Sequence, residues 1–188
     1  LARVAPTSGK ALDGVDLSPA VVFTDSVLTC AGVDAGDPDG DAVTISTAWE
    51  RNGAGLLAPD SPTLDGADWF DRDDVVRCQV TVSDGQAAPV AMWSEPVTVT
   101  NSAPTLADAS IVQAVAYTDT ELSCLASGFA DADEDPATYA FSWTIDGVPE
   151  VAATSSTLDP LFTTKGDPVV CFITPNDGLE DGEPVASD

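Results

Sequence analysis

The chain is one unit written twice, which constrains its fold more than any single motif. Thr24-Asp25-Ser26-Val27-Leu28-Thr29-Cys30 returns as Thr118-Asp119-Thr120-Glu121-Leu122-Ser123-Cys124. At the same offset Asp37-Pro38-Asp39-Gly40-Asp41 returns as Asp131-Ala132-Asp133-Glu134-Asp135, and Trp49 as Trp143. The register then slips by one residue, so that Cys78 answers to Cys171 and Asp84-Gly85 to Asp177-Gly178, while Glu95-Pro96-Val97 is matched with Glu183-Pro184-Val185. A period of about ninety-five residues is one small domain per copy, far longer than a solenoid unit. The expected boundaries are 1–101 and 102–188, with the final strand of the second copy cut short. The join at Asn101-Ser102-Ala103-Pro104-Thr105 resembles Ala5-Pro6-Thr7 near the start. A short Pro-containing connection predicts a semi-rigid hinge and copies laid end to end.

Within each copy, short runs of alternating or β-branched apolar residues are separated by Asp, Gly, Pro and Asn clusters, and no stretch has helical periodicity. Strands are expected near 21–23, 26–31, 43–51, 61–64, 75–83 and 96–100. In the second copy they are expected near 112–116, 121–126, 138–145, 155–158, 168–174 and 183–186. Six or seven short strands per hundred residues indicate an antiparallel sandwich.

Domains of this size bury modest cores and gain from a covalent staple. The four cysteines could pair in three ways, and the repeat favours Cys30 with Cys78 and Cys124 with Cys171. Zinc would need close cysteine pairs that this chain lacks. Disulfides place the chain in an oxidising compartment, secreted or at a cell surface. No apolar run approaches membrane-spanning length, and the start at Leu1 without a leader pattern reads as a processed or excised fragment.

The 32 acidic against 6 basic residues, net charge -26, exclude nucleic acid and an anionic membrane as partners. Only seven of the acids are glutamates, and a preponderance of aspartate fits turns rather than helices. The chain contains no histidine, no GxSxG elbow and no phosphate-binding glycine loop, so nothing indicates an enzyme.

Cys30, Trp49 and Cys78, repeated as Cys124, Trp143 and Cys171, fall in the order strand B cysteine, strand C tryptophan, strand F cysteine. With Leu28-Thr29-Cys30, Trp49-Glu50-Arg51-Asn52-Gly53 and Cys78-Gln79-Val80-Thr81-Val82-Ser83-Asp84-Gly85, both copies resemble bacterial extracellular immunoglobulin-like repeats of the PKD and cadherin-like type. The resemblance covers nearly the whole chain and implies two tandem all-β immunoglobulin-like sandwiches with one disulfide each. Two features depart from antibody domains. Cys30 and Trp49 are 19 residues apart because the acidic loop lies between them, and Val76 and Val169 stand where a tyrosine often precedes the strand F cysteine.

The acidic loops are the candidates for chemistry. Asp37, Asp39 and Asp41 can direct several carboxylates to one point, as hard oxygen ligands surround calcium, with Gly40 allowing a tight turn. Asp131, Asp133 and Asp135 repeat the spacing, and Asp84 and Asp177 could close each site from the loop after strand F. The competing reading is a solvated turn. The resemblance raises the weight of a structural Ca2+ site and makes Asn101 a lesser candidate. An EF-hand is rejected, since the closing glutamate and helical frame are missing. Trp69 aligns with Phe162 and reads as core. Trp93 lies in Gln86–Trp93, a segment that the second copy is expected to lack, and is a candidate partner contact.

The reading is a non-enzymatic spacer or adhesive stalk module of a large bacterial surface protein, its partners being neighbouring repeats and surface glycans or proteins. The alternatives are a carbohydrate- or protein-binding module and a segment of a self-assembling filament.

Overall fold

Alternation in Val75–Ser83 sets the plan of the first domain: Val76, Cys78, Val80 and Val82 are buried while the residues between them face outward. The computed structural model describes residues 11–37, 42–85 and 88–188. The chain divides into two compact units, 1–101 and 102–188, and each is an immunoglobulin-like sandwich.

The first domain comprises β1 (Gly14–Ser18), β2 (Val22–Phe23), β3 (Val27–Val33), β4 (Thr44–Arg51), β5 (Ala54–Gly55), β6 (Thr63–Asp65), the one-turn α1 (Gly66–Trp69), β7 (Val75–Ser83), β8 (Val90–Trp93) and β9 (Val97–Thr100). One sheet is ordered β1-β3-β6; the other is β2-β9-β7-β4-β5, with β8 also pairing β7. The second domain comprises β10 (Thr105–Ile111), β11 (Leu122–Ala130), β12 (Thr138–Ile145), β13 (Val148–Pro149), β14 (Thr157–Leu158), β15 (Val169–Asn176) and β16 (Val185–Ala186). Its sheets are β10-β11-β14 and β13-β12-β15-β16.

Both disulfides form as the repeat predicts, Cys30–Cys78 tying β3 to β7 and Cys124–Cys171 tying β11 to β15. Each therefore joins one sheet to the other. Closing loops of 48 and 47 residues stabilises each domain by roughly 4 kcal/mol in the chain-entropy account. Trp49 lies directly opposite Cys78 and Trp143 opposite Cys171 in the strand register, both almost wholly buried. Their indole N–H groups, which would be costly to bury unpaired, donate to the Ser61 and Ser155 carbonyls at 3.0 and 2.9 Å. Around them pack Leu28, Leu64, Phe70, Val80 and Val99 in the first domain. Leu106, Leu122, Leu158 and Ile173 do so in the second.

The hairpins that follow the tryptophans are set by Asn52-Gly53 and Asp146-Gly147, all four residues at positive φ. Two successive left-handed residues make the tight turn whose twist matches antiparallel strands.

The structure corrects three expectations. β1 and β8 are strands that were not expected, although in β1 Val15 and Leu17 alternate inward across Asp16. The expected strand at 112–116 is instead β10 at Thr105–Ile111, which pairs β11 along six positions. Residues 112–116 follow the strand and stand largely exposed. Finally, β16 pairs β15 through Phe172 opposite Ala186, as β8 pairs β7 through Gln79 opposite Trp93. Glu183-Pro184-Val185 therefore does not correspond to Glu95-Pro96-Val97, and the segment ending in Trp93 has a counterpart in β16.

Candidate functional site

The acidic loop of the second domain runs from Ala130, where β11 ends, to Thr138, where β12 begins. Its aspartates hold the backbone. Asp131 Oδ1 accepts the N–H groups of Asp133 at 2.8 Å and Asp135 at 3.2 Å, winding the loop around one carboxylate. Asp133 Oδ2 accepts the Ser102 N–H at 2.7 Å, fastening the loop to the segment that leads into β10. Glu134 takes a left-handed φ of 60° within the loop; its sequence counterpart Gly40 lies outside the described residues.

Asp131 Oδ2 is shielded from solvent and has no hydrogen-bond partner. A carboxylate oxygen left in this state is costly, and a bound cation is one of the few things that would satisfy it. Asp177 is buried at 4% exposure, and its Oδ1 accepts the Leu179 and Glu180 N–H groups, both at 2.6 Å. Among the described residues no three His, Cys, Asp or Glu side chains converge as a ligand set. Of the first-copy candidates, Asp37 and Asp84 are half-buried, while Asp39 and Asp41 lie outside the described residues. Asn101 accepts a 2.7 Å hydrogen bond from Arg72.

Trp93 sits at the edge of the first domain, 38% exposed, with the Arg77 guanidinium carbon 4.4 Å from its ring centroid. Glu50 fixes that arginine through two bonds, Nε to Oε1 at 2.7 Å and Nη2 to Oε2 at 3.0 Å. The hydrogen bonds from Arg77 to Glu50 also hold the guanidinium pKa above its ordinary value. Carboxylate, guanidinium and indole thus form one ordered row across β4, β7 and β8. The sequence singled out Trp93 but not Arg77 or Glu50. Their signal was register: they face each other across β4 and β7, one step along from the Trp49–Cys78 pair. Trp69 packs partly buried against the core, consistent with a core residue.

No family model and no curated protein matches the chain. Among solved structures it is similar to a two-domain fibronectin type-III segment of chicken tenascin. The identity is 11% and the TM-score 0.38, over 96% of this chain and 97% of that one. It is also similar to a Ca2+-stabilized adhesin with which an Antarctic bacterium binds ice, at 14% identity and TM-score 0.38, over 95% of this chain and 48% of that one. A third is a 1.5-MDa bacterial ice-binding adhesin, at 16% identity and TM-score 0.35, over 95% of this chain and 63% of that one. The chain spans less than two thirds of either adhesin chain.

Proposed function

We propose that this chain is a non-enzymatic spacer from a secreted or surface-anchored bacterial protein, of the PKD and cadherin-like kind, whose work is mechanical. The observation that carries the reading is the twofold occurrence of one pinned centre. In each domain a disulfide bridges the two sheets beneath a buried tryptophan. Such a bridge keeps the sheets together under load, and disulfides belong to the oxidising exterior. The strongly acidic surface fits neighbouring repeats and surface partners, not nucleic acid. Calcium is the second element of the proposal, supported by the unpartnered Oδ2 of Asp131. Asp131 would ligate the ion directly and Asp133 would assist, so that the loop stiffens when the ion is bound.

Pulling single molecules from their ends tests both elements. With disulfides intact, only the 40 residues of the second domain outside the bridged loop (87 less 47) can extend. The unfolded second domain is expected to reach about 140 Å between its ends, and about 300 Å under reductant, so that the unfolding step lengthens by about 160 Å. Millimolar calcium is expected to raise the unfolding force over that in chelator, and Asp131→Asn to remove the difference. Domains that yield without a measurable force would sink the spacer. Equal forces with and without calcium would remove the cation alone.

A ligand-binding module is the second reading, favoured by the half-exposed Trp93 beside Arg77 and Glu50. Sugars stack on such rings while polar neighbours take their hydroxyls. Quenching or enhancement of Trp93 fluorescence by soluble glycans, lost in Trp93→Ala, would support it.

A further inference from the structure

Each sheet that carries a core tryptophan sets a long strand beside a very short one, β4 beside β5 and β12 beside β13. β13 pairs only Thr144 and Ile145 of β12. One more bond on that side runs from the Glu150 N–H to the Trp143 carbonyl, at 2.9 Å. In an antiparallel ladder alternate residues turn their backbone groups to opposite neighbours. Since Trp143 bonds on the β13 side, Tyr139 and Phe141 turn their N–H and C=O groups the same way, past the end of β13. Among the described residues no hydrogen bond reaches those groups.

In the first domain the matching edge is closed. The Leu56 N–H bonds the Trp49 carbonyl at 2.8 Å, as Glu150 does for Trp143, and Asp60 Oδ1 then accepts the Thr47 N–H at 2.7 Å. Thr47 is the counterpart of Phe141, two residues before the core tryptophan. Ser61 and Ser155, whose carbonyls take the indole bonds, align the segments that follow, so that Thr154 stands where Asp60 does. Thr154 is exposed and gives Phe141 no such cap. A charge at a sheet edge is an ordinary guard against the addition of a further strand, and the second domain lacks it here.

The open stretch Thr138-Tyr139-Ala140-Phe141-Ser142 is uncharged in a chain of net charge -26. Two such chains repel wherever carboxylates meet, so a neutral strand is where they approach at least cost. The strand also complements itself. Laid antiparallel about Ala140, Tyr139 faces Phe141 of the partner subunit, and each such pair uses its open N–H and C=O groups in both directions. Aromatic residues directly opposite one another favour the pairing. The exposed side chains on the outer face meet as Ala140 with Ala140 of the partner subunit and Thr138 with Ser142 of the partner subunit, small enough for close pairs.

We propose that β12 pairs antiparallel with β12 of a second copy of this chain, joining the two β13-β12-β15-β16 sheets edge to edge. The same strand serves on both sides, so the contact is two-fold and closes as a dimer instead of growing into a filament.

Sedimentation velocity of the full chain over a range of concentrations, at low and at high salt, tests the pairing. A monomer–dimer equilibrium is expected, tightening as salt screens the charge. Amide exchange at Tyr139 and Phe141 should slow at least about tenfold in the dimer. Two changes at exposed positions should return the chain to a monomer with its melting temperature kept. Thr154→Asp rebuilds the cap of the first domain, and Ala140→Asp sets like charges face to face. Ser46→Asp, at the position in the first domain that matches Ala140, should leave the dimer intact. A chain that stays monomeric at millimolar concentration and high salt overturns the proposal and leaves the edge to a different partner. A dimer that survives both Thr154→Asp and Ala140→Asp overturns it too, because the copies would then meet elsewhere.

Discussion

In the first domain Val22 and Val76 are sealed by β9, whose own Val99 is buried with them, whereas among residues 102–188 the matching wall at Ala116, Tyr117 and Val169 lines a groove. Around the disulfides the two domains agree bond for bond. The tryptophan faces the strand F cysteine, its indole bonds a serine carbonyl 12 residues on, and a serine clamps the cysteine backbone. The comparison teaches that the pinned centre is set by spacing that both copies repeat, while the rim depends on pairing with β9. The centre is fixed by a few covalent and buried polar contacts, and the rim by one additional strand.

Removing the bridges should separate the two domains most sharply. Cys30→Ala/Cys78→Ala and Cys124→Ala/Cys171→Ala each forfeit roughly 4 kcal/mol, a large share of the stability of a small domain. Each double variant is expected to lower the transition of its own domain by a large margin and to leave the other in place. Scanning calorimetry reads the two transitions, and a bridge whose loss moves neither would overturn its structural role.

The serine clamps give a smaller and symmetric effect. Ser94→Ala and Ser187→Ala each leave a buried cysteine N–H without its acceptor, costing about 1–3 kcal/mol. Denaturant melts should show the two losses equal within error. A much larger loss for Ser187→Ala would mean that the clamp carries load that β9 shares in the first domain.

The centre of the fold was legible in the sequence because it rests on spacing. Cys30, Trp49 and Cys78 and their repeats indicated the sandwich and the disulfide pairing. What the sequence hid was pairing that depends on a distant partner. Residues 112–116 are apolar enough for a strand, but the rim strand of the first domain, β2, matches 116–117 and pairs β9 alone among the described strands. The rim was also misread where letters matched better than register, as in Glu183-Pro184-Val185. At the candidate site, the aspartates at 131, 133 and 135 were visible as a cluster. Their use as acceptors for loop N–H groups, which leaves a single oxygen of Asp131 unpartnered, was not.

The smallest effect is expected where the domains differ in side chains alone. Arg77, Glu50 and Trp93 form a row in the first domain, and the positions matching them in the second are Val170, Thr144 and Ala186. The pair is partly shielded, with the Glu50 side chain 15% and the Arg77 side chain 38% exposed, and Glu50→Gln keeps one acceptor oxygen, so its cost in stability should be the smallest of these changes. Its consequence lies in order rather than stability. Without Glu50 the guanidinium is no longer held over the indole, and the environment of Trp93 becomes more mobile. Time-resolved fluorescence is the measurement, with Trp49 and Trp69 replaced by Phe and Trp143 retained as the buried reference. A faster anisotropy decay for Trp93 in Glu50→Gln, with Trp143 unchanged, would show that the row is a side-chain device added to a shared frame. An unchanged decay would mean that the strand edge alone positions Trp93.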